Sequence, residues 1–371
     1  MRAGRPGAAS TILLSLLLAG CAGLMGANTG GAPAGGEALP APAGPAWPVR
    51  TRYNVDLWLH GYAMITNDNT QIPYYKRGYR DRMLALEQKA GVSSKLLEQR
   101  DQLQSQLTAT PQMAGGQFLP LYFDSWDSMQ RGIDAFLRAG GDPTRAVDQP
   151  TQVQIAIIAA SFPTAADRTW LRTFTLALMD EGTRFYQSYW NAQQRERSPI
   201  IVALDSLWTR TYLPRFSTFL HHSQQGQGEL FLALPLDGEG RTVVTNAHTS
   251  EIAVDFPEAG GDPKDVIYVF AHEAMGAIAG RAVTDNTTPA DQRSGAADRY
   301  SSPAAVRGGA MLLKRLAPEL VQGYEQFYLQ SAGVADTHGN NVDTLFEQTF
   351  ALPAPIADAI NRQITTVMSG I

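Results

Sequence analysis

Residues 228–281 read GELFLALPLDGEGRTVVTNAHTSEIAVDFPEAGGDPKDVIYVFAHEAMGAIAGR, and this stretch decides the fold class. The runs 229–234, 241–245 and 250–256 are short, apolar and partly β-branched, separated by Asp237-Gly238-Glu239-Gly240 and Asn246-Ala247-His248-Thr249. They read as three short strands. The links are too short for parallel crossovers, so the expected sheet is small and antiparallel. After Gly260-Gly261 comes Asp262-Pro263-Lys264-Asp265, an acidic N-cap, a proline at the first helical position and a second carboxylate in the first turn. That is a helix start. In the helix that follows, Ile267, Phe270, Ala274 and Ile278 form an apolar stripe, while His272, Gly276 and Gly280, spaced by four, line another face beside Glu273.

On both sides of this stretch the pattern is helical. From Gly78 to Leu107 the apolar positions Met83, Leu84, Leu86, Leu96, Leu97, Leu103 and Leu107 alternate with charged residues around an interruption at Gly91, which predicts two consecutive helices. A helix from Ser125 to Ala139 is closed by Gly140-Gly141. Thr164-Ala165-Ala166-Asp167 has the form of a capping box at the head of a long helix carrying Trp170, Phe174, Leu178, Phe185 and Tyr189 at core spacing. Beyond the His272 helix, 303–316 and 319–332 read as two helices split by Pro318, and Ile356, Ile360, Ile364 and Met368 mark a last amphipathic one. The expectation is an α+β fold, mainly α, with a helical region over 49–227 and a small-sheet region over 228–371, either as two units or as one domain over 49–371.

The chain has 371 residues, 44% hydrophobic and 18% charged, enough apolar material for a sizeable core. With 30 Lys+Arg against 35 Asp+Glu it carries no basic footprint for nucleic acid, and none is expected as a partner. Its single cysteine, Cys21, excludes an intramolecular disulfide framework and a cysteine-built metal site. Residues 1–20 place Arg2 and Arg5 before an apolar run from Thr11 to Ala19, about half of the ~20 residues a spanning helix needs, so they read as a secretory leader. Leu18-Ala19-Gly20-Cys21 resembles the lipobox of bacterial lipoproteins, which implies cleavage before Cys21, acylation of its thiol and a membrane-lipid partner. Ala22 at the next position resembles an outer-membrane sorting signal in cells with two membranes, so the expected location is the cell envelope. Residues 21–48, rich in Gly, Ala and Pro, read as a flexible tether.

One constellation looks chemical. His272-Glu273 is half of the H-E-x-x-H motif, in which two imidazoles one turn apart hold zinc and the glutamate takes a proton from bound water. The order of a helical part, a small sheet and then this helix resembles the gluzincin class of zinc metallopeptidases. That resemblance implies zinc as cofactor, His272 as a ligand and Glu273 as general base. The second histidine is replaced by Gly276, and Arg307 stands where a later helix would supply the third ligand, in Ala305-Val306-Arg307-Gly308-Gly309-Ala310. In the H-E-x-x-G-H variant of the motif, Gly276 fits but Ala277 replaces the final histidine.

Three readings of His272-Glu273 stay open on the sequence. The pair can be a hydrogen-bonded helix feature, with Gly276 and Gly280 letting another helix pack closely. It can be the remnant of a zinc peptidase that has lost its metal and keeps the cleft for binding, with Arg307 near the former metal position. Or His272 can hold a metal with help from His60, His221, His222, His248, His338, Glu251 or Asp298, of which His248, just before the third strand, is best placed. No nucleophile elbow, P-loop or dinucleotide fingerprint in the required context is present. The function expected is a lipid-anchored envelope protein binding a peptide or envelope component along strand 250–256 by strand addition, the alternative being an active zinc hydrolase.

Overall fold

The computed structural model describes residues 47–67, 70–246, 249–334 and 341–370. Cys21, the lipobox, most of the tether, His248 and His338 lie outside the described residues. In chain order the elements are β1 (Val49–Arg50), α1 (Tyr53–Ile65), α2 (Tyr79–Ala90), α3 (Lys95–Ala109), a 3-10 segment (Pro111–Tyr122), α4 (Trp126–Arg138), α5 (Gln149–Ser161) and α6 (Ala165–Glu181). A π-helical turn (Gly182–Tyr186) leads into α7 (Gln187–Glu196), followed by α8 (Ser198–Leu207) and α9 (Leu213–His222). Then come β2 (Gln227–Ala233), β3 (Arg241–Asn246), β4 (Thr249–Asp255), α10 (Lys264–Ala274), α11 (Gly276–Asp285) and α12 (Pro289–Arg293). The chain closes with α13 (Ser301–Leu316), α14 (Val321–Ser331), α15 (Val342–Thr349) and α16 (Ala354–Ser369). The fold is therefore α+β and mainly α, as the sequence patterning requires.

Local chemistry sets many of these boundaries. The Ser125 and Thr164 side chains each accept the N3 backbone N–H in a reciprocal capping box. Gly91 ends α2 in the left-handed region, and Gly140 and Gly141 both take positive φ after α4. At the start of α10 the Asp262 carboxylate accepts the Lys264 N–H at 2.9 Å, with Pro263 at the helix boundary.

The sheet departs from expectation. Its order is β1-β2-β4-β3, with β1 and β4 parallel to β2 and only β3 antiparallel, to β4. It is mixed, not antiparallel. Residues 234–240 step past the place of β4, and the β3–β4 hairpin then returns β4 between β2 and β3, so β3 itself serves as the crossover that a parallel pair needs. Consequently β4 is an interior strand, paired on both sides, and cannot receive an added strand; the edges are the two-residue β1 and β3.

The sheet also divides the core. Leu230, Leu232, Ile252 and Val254 face a cluster with α8, α9, α10, α11, α13, α14 and α16, while Phe231, Ala233, Val243 and Ala253 face a second cluster with α1 to α6. Covered on both faces, these strands are near-continuously apolar. The packed chain already begins at Trp47, two residues before the expected Val49. Trp47 is fully buried, its indole N–H donates to the Gln225 carbonyl at 3.1 Å, and its own carbonyl accepts the Trp208 indole N–H at 2.9 Å. The span Lys264–Asp285 is long and apolar enough to cross a membrane by length and composition alone, but 67% of its apolar 18-residue window is buried inside the protein, as in a core helix.

Candidate functional site

α10 carries its apolar stripe inward as expected, with Ile267, Phe270 and Ala274 at no more than 1% exposure. His272 is buried as well, at 3%. It is met by a residue that the sequence pattern had marked only as part of a turn: Glu239, from the link between β2 and β3. Nε2 of His272 lies 3.8 Å from Glu239 Oε2, and Nδ1 lies 3.4 Å from Glu273 Oε1. Among the described residues, neither ring nitrogen has an aligned hydrogen-bond partner.

The link is held against α10 by close approach. A Cβ on Gly240 would sit 2.6 Å from the Ala253 carbonyl oxygen and 2.9 Å from Glu273 Cγ, so only glycine fits there without displacement. Glu239 itself donates its backbone N–H to Pro73 O at 3.2 Å and accepts the Ser302 hydroxyl at 2.9 Å. Gly238 O accepts the buried Tyr328 hydroxyl at 3.1 Å, and the Tyr328 ring stands 5.5 Å from the His272 ring. On the other side, Thr242 of β3 donates its hydroxyl to Glu273 Oε2 at 3.0 Å.

The electrostatics follow from this geometry. Burial alone pushes the His272 imidazole down, but the charge of Glu239 and the contact with Glu273 outweigh it and hold the imidazole above its ordinary value. Burial likewise pushes Glu273 up, yet His272, Arg241 and Thr242 together hold it below the usual carboxylate range. The arrangement is an imidazole held between two carboxylates, which favour its protonated form. Stripped of its proton, the same trio offers one nitrogen and two oxygens, with ligand atoms all within 4.8 Å of one another.

The other expected site residues are not brought here. Gly276 is exposed and a Cβ on it would meet nothing within 4 Å, so this position is open where His272 is buried. Gly280 is equally open; the glycines that admit close packing are Gly308 and Gly309, against Met275 and Tyr324. Arg307 does not point at the trio. It pairs with Glu347 at 2.9 Å and lies over the Phe346 ring, so it is no part of a cleft with His272. Glu251 pairs with Arg52 at 3.2 Å, Asp298 sits in an exposed turn, and His221 and His222 close α9 at the surface. His60 is fully buried in the other half of the core. The signal for Glu239 was present in the sequence, a carboxylate between two glycines in a link before the His-Glu helix, but only tertiary structure brings it to His272. No family model, no curated protein and no solved structure matches this chain.

Proposed function

We propose that this chain is a lipid-anchored protein of the cell envelope whose folded domain keeps part of a zincin-like frame and binds a peptide or envelope component without hydrolysing it. The observation that carries the reading is the engagement of His272 by Glu239 and Glu273. Both His272 nitrogens face carboxylates of this chain, and the two positions from which a peptidase of this class draws its further ligands, Gly276 and Arg307, are turned to solvent and to Glu347. The lipobox-like Leu18-Ala19-Gly20-Cys21 supports the anchor. Recognition by strand addition falls to the outer edge of β3, where Val244 is 62% exposed, in place of the interior strand β4.

The test uses the full chain and an array of extended peptides. Expected are binding that weakens at least tenfold in Val244→Lys, no cleavage of any peptide, and no loss of bound zinc on His272→Ala. Cleavage abolished by Glu273→Gln in a folded protein would replace this reading with the second one, a metallohydrolase. That second reading is favoured by one observation, the spacing of the Glu239, His272 and Glu273 ligand atoms.

A further inference from the structure

His60, Glu87 and Glu181 meet in the helical half of the core, each at 0% exposure. Glycines beside two of them bring the helices together. A Cβ on Gly61 would sit 2.5 Å from Leu178 Cδ2, and one on Gly182 would sit 2.8 Å from the Tyr53 hydroxyl, so α1 and the end of α6 approach closely on either side of the His60–Glu181 contact. α2 supplies Glu87 from a third direction. Directly after Glu181 the chain passes through the π-helical turn Gly182–Tyr186, a distortion that recurs at functional sites because it re-aims the side chains around it.

Nε2 of His60 lies 3.3 Å from Glu181 Oε1, and one ligand atom from each of the three residues falls within 4.8 Å of the others. Among the described residues, both oxygens of Glu87, both oxygens of Glu181 and Nε2 of His60 have no hydrogen-bond partner. Among the described residues no lysine or arginine pairs with either carboxylate; the only ion contact is His60 with Glu181. Two buried carboxylates left this way are costly. The other ring nitrogen is already positioned. Nδ1 of His60 is 3.1 Å from the Tyr79 hydroxyl, and the Tyr186 ring stacks on the imidazole at 4.2 Å, which together fix the ring with Nε2 toward the carboxylates.

We propose that His60, Glu87 and Glu181 bind a divalent transition cation, zinc or manganese, which ties α1, α2 and α6 together. One imidazole and two carboxylates suit these ions, whereas calcium and magnesium favour all-oxygen shells with more ligands. The cation's two charges balance the two carboxylates, and Nδ1–H remains to donate to Tyr79. Full burial makes the site structural, closed to substrate. It stands apart from the His272 trio and does not depend on how that trio functions.

The full chain, extracted in detergent and treated with chelator, is titrated with Zn(II) or Mn(II) and followed by elemental analysis and thermal melting. One equivalent per chain is expected, retained in His272→Gln and lost in Glu87→Gln and Glu181→Gln. The melting temperature of the parent should rise by about 4 °C at a hundredfold excess over Kd. No bound metal and no rise in the parent, or full retention by a folded Glu87→Gln, overturns the proposal; loss in His272→Gln alone overturns it too and separately counts against the non-catalytic reading of His272. Should both glutamine variants fail to fold, X-ray absorption on zinc-loaded His272→Gln decides. A shell of one imidazole with carboxylate oxygens is expected, and a shell of two imidazoles or of oxygens only overturns the site.

Discussion

Glu239 Oε2 lies 3.8 Å from His272 Nε2, a contact between a seven-residue link and a core helix that are separated by the whole of β3 and β4. It sets the Glu239 carboxylate against a buried imidazole and raises the pH at which that imidazole loses its proton. That charge has consequences for stability that can be measured without knowing any ligand.

Because the folded imidazole is held above its ordinary value, it contributes stability that is full below about pH 6.5 and is lost as pH rises through the higher folded value. Glu239→Gln removes the larger of the charges responsible. The variant should lose about 3 kcal/mol at pH 6 and clearly less at pH 9, read from urea unfolding of parent and variant at both pH values. An equal loss at the two pH values would show that the imidazole is neutral in the folded chain.

Asp56 gives a second pH dependence of the same sign from a different cause. Burial pushes it up to about 7, although its oxygens accept the Leu234 N–H at 2.6 Å and the Trp190 indole N–H at 2.7 Å. A raised carboxylate stabilises the fold fully below its unfolded value near 4 and loses that contribution as pH rises through about 7. Asp56→Asn should flatten the fall in melting temperature between pH 4 and 8. It should also cost about 2 kcal/mol at pH 7, because an amide nitrogen then faces one of the two N–H donors.

The two glycines on either side of the site should behave oppositely. Gly240→Ala forces a methyl group against Ala253 O and Glu273 Cγ and is expected to destabilise by about 2 kcal/mol. Gly276→Ala meets nothing and lies at the start of a helix, so it should stabilise by about 0.5 kcal/mol. Paired denaturant melts measure both. Gly276→His, which restores the spelling of the peptidase motif, should leave zinc affinity unchanged, as isothermal titration would record.

Arg197 anchors the second half of the core to the sheet. It is 2% exposed, donates to the Phe256 and Pro257 carbonyls at 2.7 and 3.0 Å and pairs with Glu258. Arg197→Met should cost about 2 kcal/mol, since the buried Pro257 carbonyl loses its donor while Phe256 O keeps the Lys76 ammonium at 2.8 Å. Chemical denaturation of the variant against the parent checks it.

Much of the local structure was legible in the residues. The boxes at Ser125 and Thr164, the breaks at Gly91 and Gly140-Gly141 and the helix start at Asp262-Pro263 each satisfy backbone groups within a few residues of themselves, so sequence neighbours suffice to specify them. The strand positions were legible for the same reason, but their pairing was not. The run Leu230-Phe231-Leu232-Ala233-Leu234 shows no alternation, which is how a strand covered on both faces reads, and link length alone pointed to antiparallel neighbours.

The sequence by itself determined the class of the fold, most helix boundaries, the inward face of α10 and the presence of His272-Glu273 on that helix. Only tertiary structure decided that β4 lies inside the sheet, that Gly276 is open to solvent and Arg307 pairs with Glu347, and that Glu239 is the neighbour of His272. It also decided that His60, Glu87 and Glu181, from three helices spread over more than a hundred residues, share one buried cluster. The physical reason is one of range. Caps and periodicity act over three or four residues along the chain, whereas a charge contact depends on which distant segments the core brings together, and that is set by the packing of the whole sheet between its two helical layers.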